Sequence, residues 1–177
     1  MTALRRDAAR NRERILAAAR ELTDGGVPLQ LNAVARHAEV GVGTVYRHFS
    51  TAEALAEGVI EYRFAELTSA ALAAADKPDA RTALHDFLVD SVRVFAEDAT
   101  FAAAVVSSSP ARPETAVLRN QLIDAFAALV TRAAPHLAPG LNAVDLMILI
   151  CGLGYSVRLR PERAVAYLEG LLGGVLR

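Results

Sequence analysis

Within Thr44-Val45-Tyr46-Arg47-His48 four side chains that donate or accept hydrogen bonds follow one another almost without interruption. Arginine offers a planar fork of donors that can engage the O6 and N7 edges of one guanine, or a phosphate. Threonine and histidine donate to phosphate or base acceptors. The set therefore suits recognition of a duplex rather than bond making. Arg47 is the candidate for base readout, and Thr44 and His48 are candidates for the contacts around it.

Two short helices must position these groups. Val34, Ala35 and Ala38 lie at i, i+1 and i+4 and form an apolar face on the first. Val45, Tyr46 and Phe49 repeat that spacing on the second, and Val40 can plug the angle between them. Small Ala35 allows the close approach that a helix-turn-helix needs. The Tyr46 ring is expected on the core. Gln30 and Asn32 open the first helix of the pair, where side chains and end amides can meet phosphate, while His37 reads as a surface residue.

Upstream, Met1–Asp7 reads as a short arm whose Arg5 and Arg6 can reach a phosphate or a minor groove. Ala8, Ile15, Ala19 and Leu22 then mark an amphipathic helix over about Ala8–Asp24, with Arg10, Arg12, Arg14 and Arg20 on its polar face. Gly25-Gly26 is expected to end it. Downstream, Ser50 or Thr51 can cap a helix reaching about Ala75, with Leu55, Val59, Tyr62 and Leu67 inward. Pro78 closes it. Head thus passes into body through a helix, along which movement can be transmitted.

Residues 15–22, Val34-Ala35, Gly43–Phe49 and Glu53-Ala54-Leu55, in this order and spacing, closely resemble the DNA-binding domain of the tetracycline-repressor (TetR) family. The resemblance covers about the first third of the chain. Three positions depart from the family's habit: Glu39 stands where glycine is usual in the turn, Gly41 where a capping serine is common, and Ala52 where a basic residue is common. The resemblance implies an all-α fold of about nine helices. Residues 1–50 would form the helix-turn-helix domain and 51–177 an effector-binding and dimerisation domain. It also implies a phosphate contact for the Tyr46 hydroxyl.

The body reads as helices over about 81–97, 100–107, 114–134, 143–157 and 162–176, with Asn142 able to cap the fourth and Pro161 suited to the start of the last. Family likeness implies a largely apolar pocket within these helices. Phe87, Phe95, Phe101, Leu122, Phe126 and Met147 are its apolar candidates, with Ser91, Cys151 and Tyr155 supplying polar atoms. At helical spacing the same residues also serve as core, and spacing alone leaves both roles open. Leu118 falls on the same stripe. The last two helices are rich in glycine (Gly152, Gly154, Gly170, Gly173, Gly174), which costs about 1 kcal/mol per position against alanine unless close packing compensates. In the family these helices pair with their copies. Val144, Ile148, Gly152, Tyr167, Leu168, Leu171 and Val175 would then lie at a homodimer interface.

Totals agree with a DNA-contacting head on a different body. Net charge is −1, but residues 1–50 carry eight Arg against five acidic residues, leaving the remainder acidic. One cysteine excludes an intrachain disulfide framework and fits a reducing cytosol. Leu146–Leu153, the longest strongly apolar run, is too short to span a bilayer, and no signal peptide is evident, so a cytoplasmic protein is expected.

Catalysis finds little support. His37, His48, His85 and His136 are scattered, and neither HExxH nor CxxC occurs. Gly41-Val-Gly43 and Gly152-Leu-Gly154 do not complete a GxGxxG, and Ser107-Ser-Ser109 lacks the GxSxG elbow. His85-Asp86 are adjacent and would diverge on a helix. No cofactor, metal or enzymatic activity is expected. The sequence reads as a ligand-responsive regulator, most simply a homodimeric repressor. It would bind a palindromic double-stranded operator and leave it when a small, mainly apolar effector binds. The alternative is a helical ligand- or protein-binding module whose head no longer reads DNA.

Overall fold

The computed structural model describes residues 2–24 and 27–176, with side chains described over 6–23 and 27–176. Gly25, Gly26 and the Arg5 side chain lie outside them. The chain divides into two compact units, Met1–Glu61 and Tyr62–Arg177.

In the first unit, α1 (Thr2–Asp24) packs beside α2 (Leu31–His37) and α3 (Val42–His48). The expected amino-terminal arm is not separate: Arg5 and Arg6 belong to α1, whose alanines and arginines are good helix formers. Its packed face begins at Ile15 and continues through Leu16, Ala18 and Ala19, whereas Ala8 is exposed. Val34, Ala35, Ala38, Val45 and Phe49 are buried with them, and Val40 packs on this core. Leu55 and Val59, from the start of α4 (Ala52–Ala75), complete it.

The turn between α2 and α3 is closed by two backbone bonds. The Glu39 N–H donates to Arg36 O at 3.2 Å and the Val40 N–H to Ala35 O at 3.0 Å. This is the Schellman pattern, whose pivot residue sits in the left-handed region. Glu39 occupies that pivot at φ 52°. Arg14 approaches it from α1, donating from Nη2 to the Glu39 carbonyl at 3.3 Å. Downstream, Thr51 caps α4 by accepting from the Ala54 N–H at 3.1 Å.

The second unit contains the rest of α4 and then α5 (Ala80–Glu97), α6 (Ala99–Val106), α7 (Pro113–Ala133), α8 (Ala143–Leu159) and α9 (Ala164–Val175). Side-chain caps start three of them. Asp79 accepts from the Thr82 N–H at 3.1 Å and Asp98 from the Phe101 N–H at 2.9 Å. Asn142 and Asp145 form a reciprocal capping box at α8. Before α9, Pro161–Arg163 forms a 3-10 turn, so the α-helix starts later than Pro161 predicts. Among the described residues, β pairing is limited to one isolated bridge between Leu137 and Leu176.

Aromatic rings fill this unit. Phe101 meets Phe64 edge-on at 4.8 Å and Phe95 at 5.5 Å, while Phe87 stacks on Phe126 at 5.0 Å. Leu67 is buried, but Tyr62 is exposed, correcting the expectation that both face inward.

Candidate nucleic-acid interface and body clefts

Helix α3 has one anchored side and one free side. Val45 and Phe49, four residues apart, are buried at 0% and 1% exposure and fix which way the helix faces. Thr44, Arg47 and His48 fall off that face. The Arg47 Nη2 donates to Thr44 Oγ1 at 3.0 Å, so the two side chains stand together on the exposed side. Tyr46 is 50% exposed, which corrects the expectation that its ring packs on the core. One residue from Val45 means roughly 100° around the helix, enough to carry the ring outward with its hydroxyl.

His48 is partly buried, with its ring 6.4 Å from that of Phe49. Burial lowers the imidazole's proton affinity below its ordinary value, and the charges of Arg12 and Arg47 lower it further. Gln30 forms the boundary of α2 without a side-chain cap bond, and both it and Asn32 are exposed. Arg6 is exposed on α1. His37 is exposed as expected, and its Nε2 lies 2.6 Å from the Glu21 carboxylate, tying α2 to α1. Arg12, expected on the polar face of α1, bonds Glu61 at 2.6 Å. Forty-nine residues separate the two, so no local pattern signals the pair.

In the body, Phe87, Phe95, Phe101, Leu122 and Phe126 are buried and packed on one another or on their neighbours. Ser91 is buried too, its hydroxyl donating to Phe87 O at 2.7 Å within α5. The other three pocket candidates border open clefts. Cys151 and Tyr155 line one of about 350 Å³ with Ala102, Val106, Ile148 and Arg158. Met147 lines a second of about 230 Å³ with Val105, Arg119, Asn120 and Ile123. Burial pushes the Cys151 thiol up to about 12, which leaves it a poor nucleophile. Leu118 is only partly buried.

The candidate interface residues Val144, Ile148 and Gly152 are exposed along α8. Tyr167, Leu168 and Leu171 are half-buried, whereas Val175 is already covered within its own subunit at 4% exposure. A Cβ added at Gly152, Gly170, Gly173 or Gly174 would meet nothing within 4 Å. Gly154 differs: its close approach is to α5 of the same chain.

Among the described residues, no three His, Cys, Asp or Glu side chains come together to hold a metal ion, and no helix is long and apolar enough to cross a membrane.

A helix-turn-helix with a basic, exposed second helix on an all-helical body defines the class of DNA-binding transcriptional regulators. Residues 15–59 match the family described as bacterial regulatory proteins, tetR family. Along its length the chain is similar to a TetR transcription regulatory protein from Mycobacterium vanbaalenii (28% identity, 98% of this chain and 99% of that one, TM-score 0.53). It shares its fold with NalD, the secondary repressor of the MexAB-OprM multidrug efflux pump in Pseudomonas aeruginosa (22% identity, 96% and 98% coverage, TM-score 0.62). It also shares its fold with the transcriptional regulator FadR from Bacillus subtilis, solved in complex with stearoyl-CoA (16% identity, 92% and 98% coverage, TM-score 0.60). Among curated proteins none matches by sequence. Residues 15–59 thus carry the DNA-binding segment of the tetR family, and the chain shares its fold with regulators of that family.

Proposed function

We propose that two copies of this chain act as a repressor released from its operator by a small, mainly apolar effector. The observation that carries the reading is the division of α3 into a buried side, Val45 and Phe49, and an exposed side bearing the bonded pair Thr44–Arg47. Each copy lays α3 in a major groove of a palindrome, the half-sites one turn (about 34 Å) or slightly more apart. Tyr46 and His48 hold phosphates beside the groove, with Gln30, Asn32, Arg5 and Arg6 adding further backbone contacts.

Dimerisation through α8 and α9 is supported by the exposed apolar Val144 and Ile148 and by glycines with open space at Gly152, Gly170, Gly173 and Gly174. A ligand-accommodating body is supported by the clefts at Cys151–Tyr155 and at Met147, and by a protein of the same fold solved with stearoyl-CoA. The effector binds better to the state whose heads are wrongly spaced. A differential of about 1–3 kcal/mol changes operator affinity roughly 5- to 150-fold.

The test is selection of duplexes from a random-sequence pool, followed by titration of the selected and a scrambled duplex over a salt series. A palindromic consensus, bound well above the scrambled duplex, is expected, with affinity falling steeply as salt rises. Failure to enrich any sequence, with no binding at low salt, would leave the chain a ligand- or protein-binding bundle instead.

A further inference from the structure

The carboxy-terminal end of α3 has a built seat. Phe49, which caps α3, is buried at 1% exposure. Its ring lies on Gly58 of α4 so closely that an added Cβ would stand 2.6 Å from one ring carbon and 3.2 Å from another. The Arg12 guanidinium, from α1, stands 5.8 Å from the centroid of the same ring. Arg12 is held there by Glu61 of α4, Nη2 to Oε2 at 2.6 Å, with the two side chains only 35% and 24% exposed. Gly58 and Glu61 are three residues apart, so both parts of the seat come from one face of α4.

We propose that the Arg12–Glu61 bridge is a latch over Phe49 that fixes the orientation of α3 and thereby sets operator discrimination without itself touching DNA. Helix α3 spans seven residues, and Val45 is its only buried member. With Phe49 as the second anchor, a two-turn helix rocks unless one end is clamped. Base readout requires placement to within about 0.5 Å, which side-chain anchors supply only when their own positions are fixed. Arg12 is a positioning residue in this scheme. Its Nη2 is engaged by the Glu61 carboxylate at 2.6 Å, which neutralises much of the charge a phosphate would seek.

The inference rests on the DNA-reading function proposed above, and its test separates the two. The wild-type chain first selects a duplex from a random pool. Arg12→Gln, Glu61→Gln, Arg12→Lys and the exchange Arg12→Glu/Glu61→Arg are then titrated against that duplex and a scrambled one over a salt series, with melting midpoints recorded. Charge alone makes Glu61→Gln bind every duplex more tightly, because it removes a carboxylate. The latch makes it lose preference for the selected duplex, roughly 3- to 20-fold for a residue acting through packed neighbours. Arg12→Gln is expected to lose preference equally with an unchanged salt slope, whereas Arg12→Lys retains most of it and the exchange recovers it.

Several results would overturn the latch. One is Glu61→Gln tightening both duplexes alike. Another is Arg12→Gln weakening both alike while its salt slope falls by about one, the mark of a phosphate contact. The last is single variants that lose preference while neither Arg12→Lys nor the exchange keeps it. A wild-type chain that selects no sequence refutes the DNA-reading proposal itself, and the latch falls with it. Selection by wild type with every variant indistinguishable refutes the latch alone.

Discussion

Gly154 on α8 meets Phe95 on α5 with no space for a side chain: a Cβ there would stand 2.7 Å from the Phe95 Cβ and 3.0 Å from the Ala96 nitrogen. Those neighbours are backbone and side-chain root, which cannot swing aside. Gly154→Ala is therefore expected to destabilise by about 1–3 kcal/mol through overpacking, despite alanine's better helix propensity of about 1 kcal/mol. A urea midpoint that rises in Gly154→Ala would show that α5 and α8 are not this close.

Gly152, two residues earlier, points the other way. Nothing lies within 4 Å of its Cβ position, so Gly152→Ala gains up to about 1 kcal/mol of helix propensity within one subunit. If α8 pairs with its copy, the added methyl instead weakens association. Sedimentation equilibrium reads the second effect, and an unchanged dimer constant would argue against Gly152 in the interface.

Glu39 is a non-glycine residue held at φ 52°. The left-handed conformation costs an ordinary residue about 1–2 kcal/mol, and its exposed carboxylate, 3.8 Å from Arg14, returns little. Glu39→Gly is expected to raise the head's stability by about 1 kcal/mol. Chemical denaturation followed on the head would reveal a loss of stability if the turn were built differently.

His48 links stability to acidity. Its folded-state pKa is lowered by burial, then by Arg12 and Arg47, so around the ordinary histidine value the unfolded chain holds the proton more tightly. Stability from this site is complete above about pH 6.5 and is lost as pH falls toward the lowered value. Replacing His48 with Gln should flatten that part of the stability–pH curve; equal slopes in both proteins would remove His48 from the linkage.

Arg47→Ala should weaken the selected duplex by about 1–3 kcal/mol and relax preference at one base pair of each half-site. Arg47→Lys should share most of the defect, since a single ammonium lacks the fork. Full specificity in the alanine variant would reassign base readout to another residue.

The head was largely legible because its rules are local. Val34, Ala35, Ala38, Val45 and Phe49 sit at helical spacings, and every one is buried. Caps at Thr51 and Asn142 follow the same short-range logic. What escaped depends on distance or on small rotations. Tyr46 faces outward because the Val45–Phe49 pair had already chosen the buried side. Arg5 and Arg6 joined α1 because no residue there interrupts a helix. The Arg12–Glu61 pair, the seat at Gly58 and the inward use of Gly154 each require knowing which helix lies beside which. In the body, apolar spacing alone does not distinguish the packed rings Phe87 and Phe126 from Tyr155 at an open cleft.

Leu55 and Val59 are interior residues of the amino-terminal unit although they are carried by α4, which continues to Ala75. Any chimera that grafts this head onto a foreign regulator must therefore bring those two turns along. A splice placed upstream of Leu55 would transplant the reading surface while leaving behind part of the floor on which it stands.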